Sequence, residues 1–438
     1  TTEIYTLSLH DALPISVMFC PLMAFTLLAT AQIQEAGKRE FSLEECIALA
    51  TENYPLVKRY NLIDLSKEFT INNINKSYLP QPSLSLKGSY QSDVTSVPVI
   101  VPGMAIDPMS KDQYSAILSI EQLIWDGGAA EAGKKQAINR SVYERGEVEV
   151  EIYNLKERIQ SLFFGILLTE SYLNEITVAE REIERLNGVV AAFIESGIAN
   201  SSDMDALLVE KVSLSQRRRE LSSDRKSYIT MLSAMTGVKM DESTKLLTPE
   251  TSGININSLI KRPELDLFKA GQEIAEQEKD IITSRNKPKL GAFVQLGYGR
   301  PGLNMLKDEF KGFYIAGVRM VWSIGSLYTA KNEKRIQDLK FSSIDSQRES
   351  FLYNVNVKRS GSSEKIRKIE ELLAGDEEMV AIRSRLVQFA LVKLEAGSIS
   401  VSDYLKELNL LDGARCTRGR RKIELLMSIY EMKHILNN

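Results

Sequence analysis

Four short stretches of the chain alternate between apolar and polar residues: residues 82–90, 114–125, 289–300 and 313–322. A period of two is typical of a β-strand with one apolar and one polar face. The stretches are nine to twelve residues long, close to the nine to eleven that a tilted strand needs to cross a bilayer. Aromatic residues stand at the ends, as they do in membrane-spanning strands. The apolar faces comprise Leu84, Leu86 and Tyr90; Tyr114, Ala116, Leu118 and Ile120; Leu290, Ala292, Val294, Leu296 and Tyr298; and Tyr314, Ala316, Val318, Met320 and Trp322.

The opposite faces of these stretches carry polar and charged residues. Lys87, Glu121 and Arg319 lie on them, and we expect all three to face water. If the strands cross a membrane, these residues line the lumen of a barrel, because the lipid-facing side of a spanning strand is apolar. A half-buried hairpin of a soluble protein would show the same alternation. The strands alone therefore leave both interpretations open.

The four stretches form two pairs with the same surroundings. In each pair the first stretch comes at a proline, the second ends near a tryptophan and a glycine, and a long charged helical pattern follows. A recurring plan of this kind indicates an internal repeat. We expect two copies of a unit made of a helix, a strand hairpin and a helical hairpin. The predicted boundaries are residues 32–235 for the first copy with its strand hairpin at 82–125, residues 236–261 for a linker, and residues 262–438 for the second copy with its strand hairpin at 289–322.

The first residues are expected to lie outside the folded unit. Residues 1–16 resemble translated sequencing-adapter sequence, and residues 17–31 form an apolar run that closes on Ala29-Thr30-Ala31. Such a run before a small-residue motif is typical of a secretory signal peptide and is too short to span a membrane as a helix. Cys20 lacks the small-residue context of a lipoprotein signal, so no acyl anchor is predicted there. We expect the mature chain to begin near Gln32.

Between the strands, apolar residues recur with the period of a helix. Charges surround much of the circumference of the long helices, which favours a thin-walled assembly wetted on both faces over a thick core. A soluble coiled coil would carry similar charges, but it does not explain four alternating strands at matching places. The predicted helices cover residues 41–79 with a break at Tyr54-Pro55, 127–195, 203–236, 262–286, 328–395 with weak points at Gly361 and Gly375, and 403–434.

The composition excludes several classes of protein. The 438 residues contain 55 Lys and Arg against 58 Asp and Glu, a net charge of −3, whereas a general nucleic-acid binder carries a basic surplus. No apolar run reaches about eighteen residues, so no transmembrane helix is expected. Beyond the leader, Cys46 and Cys416 are expected to be buried free thiols, and His434 is the single histidine. The sequence has no histidine cluster, Cys-x-x-Cys or glycine-rich phosphate loop, so we predict no enzyme activity, metal or cofactor.

Two turns between the long helices share a pattern. In each, a glycine is followed by an isoleucine within two positions and by an aspartate six positions on. Glycine permits the left-handed conformation that ends a helix. The residues Asn200 and Ser400 then begin capping boxes for the next helices, so each turn has a complete structural explanation without any function. The shared positions are Gly197, Ile198 and Asp203 in the first turn and Gly397, Ile399 and Asp403 in the second.

In this arrangement the chain resembles the TolC-like outer membrane efflux protein family. The resemblance rests on the order of helix, strand hairpin and helical hairpin, occurring twice, and it covers about residues 41–438. It implies a fold that is mainly α with membrane β. In such a homotrimer each chain gives four strands to a twelve-stranded outer-membrane β-barrel, which continues as a long periplasmic α-helical barrel. The motifs that carry the resemblance are Leu79-Pro80-Gln81-Pro82, Trp125-Asp126-Gly127-Gly128, Arg262-Pro263-Glu264-Leu265 and the two turns.

The same resemblance implies roles for the two turns at the periplasmic mouth of the duct. Asp403 would line a constricting aperture, and Lys406 stands where a second acidic residue is usual. A single ring of Asp403, paired with Lys406, is therefore expected instead of a double acidic ring. The positions expected to meet a periplasmic adaptor of an inner-membrane pump are Gly197, Ile198, Asp203, Gly397 and Ile399.

Elementary physics supports a trimer independently. Four strands cannot close a barrel, and an open sheet edge does not occur in lipid. Three chains supply twelve strands, an even number within the known range. The resemblance to the family implies a passive channel in the outer membrane of a Gram-negative bacterium, joined to an inner-membrane pump through an adaptor for tripartite efflux or type I secretion. A soluble periplasmic coiled-coil scaffold is the alternative.

Overall fold

The computed structural model of the chain describes residues 40–95, 109–250 and 258–437. The expected leader over residues 1–31 lies outside the described residues, as do residues 96–108 of the first strand hairpin and residues 251–257 of the expected linker. The strands are β1 Glu40–Phe41, β2 Gln81–Tyr90, β3 Asp112–Trp125, β4 Lys245–Leu246, β5 Lys289–Arg300 and β6 Lys311–Val321. The helices are α1 Leu43–Asn53, α2 Lys58–Lys76, α3 Ala129–Glu195, α4 Ser201–Thr236, α5 Pro263–Arg285, α6 Leu327–Glu395 and α7 Val401–Leu436.

The helices begin and end close to the predicted positions, for local reasons that the sequence contains. The capping box at the start of α1 is present: the amide of Glu45 donates to Ser42 Oγ at 3.2 Å, and the Glu45 carboxylate accepts from the amide of Ser42 at 3.0 Å. A short 3₁₀ turn over Pro55–Val57 separates α1 from α2, because proline cannot continue the hydrogen bonding of α1. Helix α6 runs without interruption through the expected weak points at Gly361 and Gly375.

The four long strands form one antiparallel sheet in the order β2-β3-β5-β6. Its register places the separately predicted apolar faces on the same side. One row across the sheet joins Leu84, Leu118, Leu296 and Tyr314 as direct cross-strand partners. Because opposite residues of antiparallel strands point to the same face, the apolar alternation continues over all four strands.

The opposite face of the sheet is less polar than the alternation predicts. It carries Phe293 and Phe313, each directly opposite a glycine on the neighbouring strand, Gly317 and Gly297 respectively. A Cβ atom on Gly297 would lie 2.2 Å from the Phe313 ring, so the aromatic ring occupies the space that a side chain there would need. Covering a strand glycine with a cross-strand aromatic is a known way to fix strand register.

The long helices form a single layer that continues from the sheet. Helix α3 packs against α2, α4, α5 and α7, and α6 packs against α5 and α7. The end of the layer next to the sheet therefore has the order α2-α3-α5-α6, and the far end has the order α4-α3-α7-α6. One apolar cluster lies around Phe163, Phe164 and Leu232, and another lies toward the far end around Leu186, Tyr404 and Leu408.

Two features differ from the expectations. Residues 245–246 of the predicted linker form β4, which pairs in parallel with β1. A strand of two residues is too short to show a period, so the sequence pattern misses both. Cys46 is buried as predicted, but Cys416 is only half-buried. No helix among the described residues is both long and apolar enough to cross a membrane.

Candidate functional site

The apolar face of the sheet is exposed in the single chain. Leu84 is 67% exposed, Leu86 73%, Tyr314 74% and Val318 68%. These values belong to large side chains in the middle of strands, where a soluble sheet would bury them against a second layer. A continuous apolar face of this size on the surface marks a contact with lipid or with another protein.

Aromatic side chains border this face at both ends of the strands. At the loop end, Phe310 stacks on Tyr298 at 5.8 Å and on Tyr114 at 6.4 Å between ring centroids. At the helix end, Trp125 and Trp322 are about half exposed, and the Trp322 indole donates to the Asn286 carbonyl oxygen at 3.0 Å. Two aromatic belts separated by an apolar band are typical of strands that cross a membrane.

The register places Lys87, Glu121 and Arg319 on the same face of the sheet, opposite the apolar face. Glu121 and Arg319 meet across β5, with Nη1 of Arg319 3.4 Å from Oε1 of Glu121. The same guanidinium lies 4.8 Å from the centroid of the Phe293 ring. Lys87 lies apart from this group, since its cross-strand partner is Ser115, six residues before Glu121.

Both turns at the far end adopt the predicted helix-ending geometry. Gly197 has φ +73° and Gly397 has φ +66°. The amide of Ile198 donates to the Phe193 carbonyl oxygen at 2.8 Å, and the amide of Ser398 donates to that of Lys393 at 2.8 Å. These are the long backbone bonds that satisfy the last carbonyls of a helix ending in left-handed glycine.

The two turns also touch each other. A Cβ atom on Gly397 would lie 3.7 Å from Cγ2 of Ile198, so Ile198 of the first turn lies beside Gly397 of the second. Ile198 is 56% exposed, whereas Ile399 is partly buried against the far apolar cluster. Of the two isoleucines, the first therefore offers more free surface.

Asp203 and Asp403 each close a capping box. Asp203 accepts from the amide of Asn200 at 3.0 Å, and Asp403 accepts from the Ser400 hydroxyl at 2.7 Å and the Ser400 amide at 3.3 Å. These hydrogen bonds from Ser400 hold the pKa of Asp403 below its usual range, with a smaller contribution from the positive charge of Lys406. Asp403 and Lys406 are both exposed on α7.

A group of polar contacts joins α7 to α3 close to the turns. The Tyr404 hydroxyl donates to Oε1 of Glu182 at 2.9 Å, and Arg185 pairs with the same carboxylate at 2.6 Å. Burial raises the pKa of Tyr404, so the phenol remains protonated and donates. Sequence patterns could not reveal the hydrogen bond from Tyr404 to Glu182, because the two residues are 222 positions apart.

The basic stretch on α7, residues 415–422, finds its partners within the helical layer. Arg421 pairs with Asp376 of α6 at 2.6 Å and also donates to the Leu372 carbonyl oxygen at 3.2 Å. Lys422 lies 3.6 Å from Glu377 of the same helix. These basic residues therefore attach α7 to α6.

A cavity of about 350 Å³ lies where α4 and α7 diverge over α3. Its lining includes Glu175 of α3, Glu210 of α4, and Asp412 of α7, together with Arg217 and Arg420. Burial raises the pKa of Asp412 to about 6, which Arg415 opposes and the carboxylates of Glu175 and Glu210 reinforce. No sequence pattern distinguishes Asp412, since an isolated aspartate within a helix resembles any exposed one.

The junction between α5 and the end of α7 holds a buried stack. The Tyr153 ring lies between the His434 ring, 4.3 Å away, and the guanidinium of Arg262, 4.4 Å away. Arg262 also pairs with Glu264, and both are largely buried. Burial lowers the pKa of His434 to about 4, and the charge of Arg262 acts in the same direction. The Arg262-Pro263-Glu264-Leu265 motif therefore serves to anchor the junction.

Within the described ranges, no group of His, Cys, Asp and Glu side chains could hold a metal ion.

The sequence matches no protein-family model and no curated protein sequence. Several solved structures are similar in fold. The CmeC outer membrane channel of Campylobacter jejuni matches with a TM-score of 0.63 at 13% identity, covering 90% of this chain and 85% of that one. The open state of the MtrE outer membrane channel of Neisseria gonorrhoeae matches with a TM-score of 0.65 at 11% identity, covering 90% and 89%.

The outer membrane protein VceC of Vibrio cholerae also matches, with a TM-score of 0.60 at 12% identity, and the match covers 90% of this chain and 96% of that one. The matches extend over the sheet and the helical layer together, because nine-tenths of the chain is covered in each case. The expectation of a mainly helical chain with this fold is confirmed: the sheet and helical layer together are similar in fold to these outer membrane channels.

Proposed function

We propose that the chain is one protomer of a homotrimeric outer-membrane channel, a passive export duct and not an enzyme. It would lie in the outer membrane of a Gram-negative bacterium and extend into the periplasm. A periplasmic adaptor would join it to an inner-membrane pump, in tripartite efflux or type I secretion. The structures that it resembles are outer membrane channels by name, which supports this function.

The observation that carries the proposal is the sheet with one exposed apolar face and two edges. Strands β2 and β6 lie at those edges. An apolar face favours lipid, but an edge with free backbone groups does not occur there, because each unsatisfied group costs several kcal/mol. Pairing β6 of one copy with β2 of the next removes every edge when three copies close a ring of twelve strands.

The edges of the helical layer support the same assembly. On α2, Leu62 and Phe69 are 63% and 61% exposed and fall on one helix face. On α6, Leu339 is 70% exposed near the sheet and Phe389 is 66% exposed near the turns. On α4, Val209 is 70% exposed. A neighbouring copy would cover these side chains by packing α6 against α2 and α4, and the layer would close into a tunnel.

The two turns would then form the mouth of the tunnel. We propose that Gly197, Ile198 and Asp203 of the first turn and Gly397 and Ile399 of the second contact the adaptor, and that Asp403 and Lys406 face the aperture. Lys87, Glu121 and Arg319 would line the barrel lumen. We also propose that the chain arose from the two-copy plan of residues 32–235 and 262–438, with residues 236–261 as the connection.

A soluble coiled-coil scaffold is the alternative, and cell fractionation distinguishes the two. We expect the mature protein in the outer-membrane fraction, resistant to carbonate extraction, and migrating on a gel as a trimer that heating converts to the monomer. Recovery from the soluble periplasmic fraction as a monomer would contradict the proposal. Deleting both strand hairpins provides the matched control, because it should release a channel from the membrane but leave a scaffold where it was.

A further inference from the structure

A cleft of about 370 Å³ opens on the polar face of the sheet at its helix end. Drug-sized solutes occupy pockets of roughly 300–1,000 Å³, so the cleft is large enough for a small molecule. Its floor includes Phe293 and Leu123, and its rim includes Glu121, Lys289 and Arg319. All of these residues come from one chain.

Two glycines make room for the cleft. Gly291 lies between Leu123 and Arg319 in the register, and a Cβ atom on it would approach the Gln122 carbonyl oxygen to 3.2 Å. Gly317 lies opposite Phe293, and a Cβ atom there would lie 3.2 Å from the phenyl ring. The Phe293 ring therefore lies against Gly317, and Gly291 leaves room for the Arg319 side chain, which reaches Glu121 on β3.

The rim carries a surplus of positive charge. Lys289 and Arg319 contribute two positive charges and Glu121 one negative charge, a net of +1. The pair between Arg319 and Glu121 is long, at 3.4 Å, and the side chains are 51% and 57% exposed. Exposed pairs of this kind contribute little to stability, so a competing carboxylate can displace Glu121 from the guanidinium.

From this arrangement we infer that the cleft binds anionic aromatic solutes. A carboxylate would accept two parallel hydrogen bonds from the fork of Arg319, with Lys289 as a second cation. The aromatic ring would contact Leu123 and the edge of the Phe293 ring, since the Arg319 guanidinium lies over that ring and Gly317 lies against it. The carboxylate of Glu121 would attract a cationic aromatic solute, but the net positive charge of the rim favours an anionic one.

The inference rests on the proposed function for its consequence. In a trimeric duct the polar face lines the lumen, so three clefts would surround the path of an exported solute near the junction of barrel and tunnel. Solutes that carry a ring and a carboxylate would be retained there, and simple inorganic ions would not. The cleft would thus contribute to substrate preference at a point remote from the turns.

Isothermal titration calorimetry with the full chain in detergent and 2-naphthoate as the probe tests the site. We expect one site per chain. Arg319→Gln should weaken binding at least tenfold, since the fork is lost. Phe293→Leu should weaken it severalfold, because the aromatic edge and the ring beneath the Arg319 guanidinium are lost while an apolar side chain remains. Arg319→Lys keeps the charge without the fork and should fall between the wild type and Arg319→Gln.

Lys87→Gln is the matched control. It removes one positive charge from the same face of the sheet. Its cross-strand partner Ser115 lies six residues from Glu121 on β3, about 20 Å at 3.3 Å per residue. We expect its affinity for 2-naphthoate to equal that of the wild type. Equal weakening by Lys87→Gln and Arg319→Gln, or no weakening by Arg319→Gln, would overturn the site. Binding that persists in a protein that forms no trimer would leave the site standing and contradict the proposed function instead.

Discussion

Asp403 has two explanations that differ in what they predict. It closes the capping box of α7 with Ser400, and in the proposed trimer it also contributes to a ring of three carboxylates. A ring of like charges at a narrow opening attracts cations. Lys406 lies three residues on, on the same side of the helix, and should weaken the field of the ring.

Asp403→Gln separates these explanations, because glutamine at this position of a capping box still accepts the hydrogen bond but carries no charge. We expect a lower preference for cations over anions in planar-bilayer recordings. Asp203→Gln is the control, since Asp203 has the same capping role in the first turn with Asn200. If the two variants change selectivity equally, or if neither does, Asp403 only caps its helix.

Asp412 predicts a pH dependence of stability. Its pKa in the folded chain is about 6, raised by burial from an ordinary value of 3.8. Between these values the folded chain binds the proton more tightly than the unfolded chain does. The contribution of this group to the free energy of unfolding therefore decreases as the pH rises and is lowest above pH 6. The difference corresponds to roughly 3 kcal/mol at most.

Asp412→Asn should therefore raise the melting temperature at pH 7.5 and change it little near pH 4, where the wild-type carboxyl is already protonated. Thermal unfolding followed by circular dichroism at the two pH values measures this. Glu210→Gln makes a useful comparison, because Glu210 lines the same cavity but accepts from Asn409 at 3.3 Å. An equal shift for Asp412→Asn at both pH values would show that ionisation is not the cause.

At the scale of elements, the sheet predicts that adjacent residues of one strand respond differently to charge. Leu86 is 73% exposed on the apolar face, and Ser85 points to the opposite face. Leu86→Arg should cost about 2–4 kcal/mol if the face lies in lipid near the midplane, whereas Ser85→Arg should be mild. The yield of heat-sensitive trimer in the outer membrane measures both. Equal damage from the two variants would contradict the assigned faces.

The turns predict a separation of assembly from export. Gly397 has φ +66°, so Gly397→Val forces a side chain into the left-handed region at a cost of about 1 kcal/mol or more. We expect the trimer to assemble and export of a dye to fail. Gly375→Val is the control, because Gly375 lies within α6 with open space around its Cβ position. Normal export by Gly397→Val would argue against adaptor docking at this turn.

The sequence predicts the elements of this fold better than their arrangement. Period-two alternation identifies the faces of all four long strands because it is a local property, and the register then joins Leu84 to Tyr314 across the sheet as that alternation requires. The pairing of β3 with β5 is not local, since Tyr114 and Arg300 are far apart in the chain. No spacing rule identifies such a partner.

In the candidate site too, local features could be predicted from the sequence and contacts between distant residues could not. The capping boxes at Asp203 and Asp403 are confirmed because their partners lie three residues away. The hydrogen bond from Tyr404 to Glu182 depends on how helices far apart in the sequence pack together, and so does the elevated pKa of Asp412. The phenylalanines on the polar face of the sheet appear as exceptions to the pattern until the glycines opposite them are known.

At the scale of the whole molecule, a single chain leaves both its sheet and its helical layer open. The apolar face and the exposed side chains along α2, α4 and α6 would destabilise a monomer in water, since each buried large apolar side chain is worth about 1.5–3 kcal/mol. In the proposed trimer, neighbouring copies would cover the helical edges and close the sheet, and lipid would cover the apolar face. Stability of the chain should therefore depend on both assembly and membrane.

Native mass spectrometry of the protein extracted from purified outer membranes tests the central claim most directly. The proposed channel predicts a particle of three identical chains that persists as the detergent is removed in the gas phase. Dilution should not yield folded monomer, because the barrel strands of one chain have no partner without the next. A particle of one chain, folded and stable without detergent, would contradict the account.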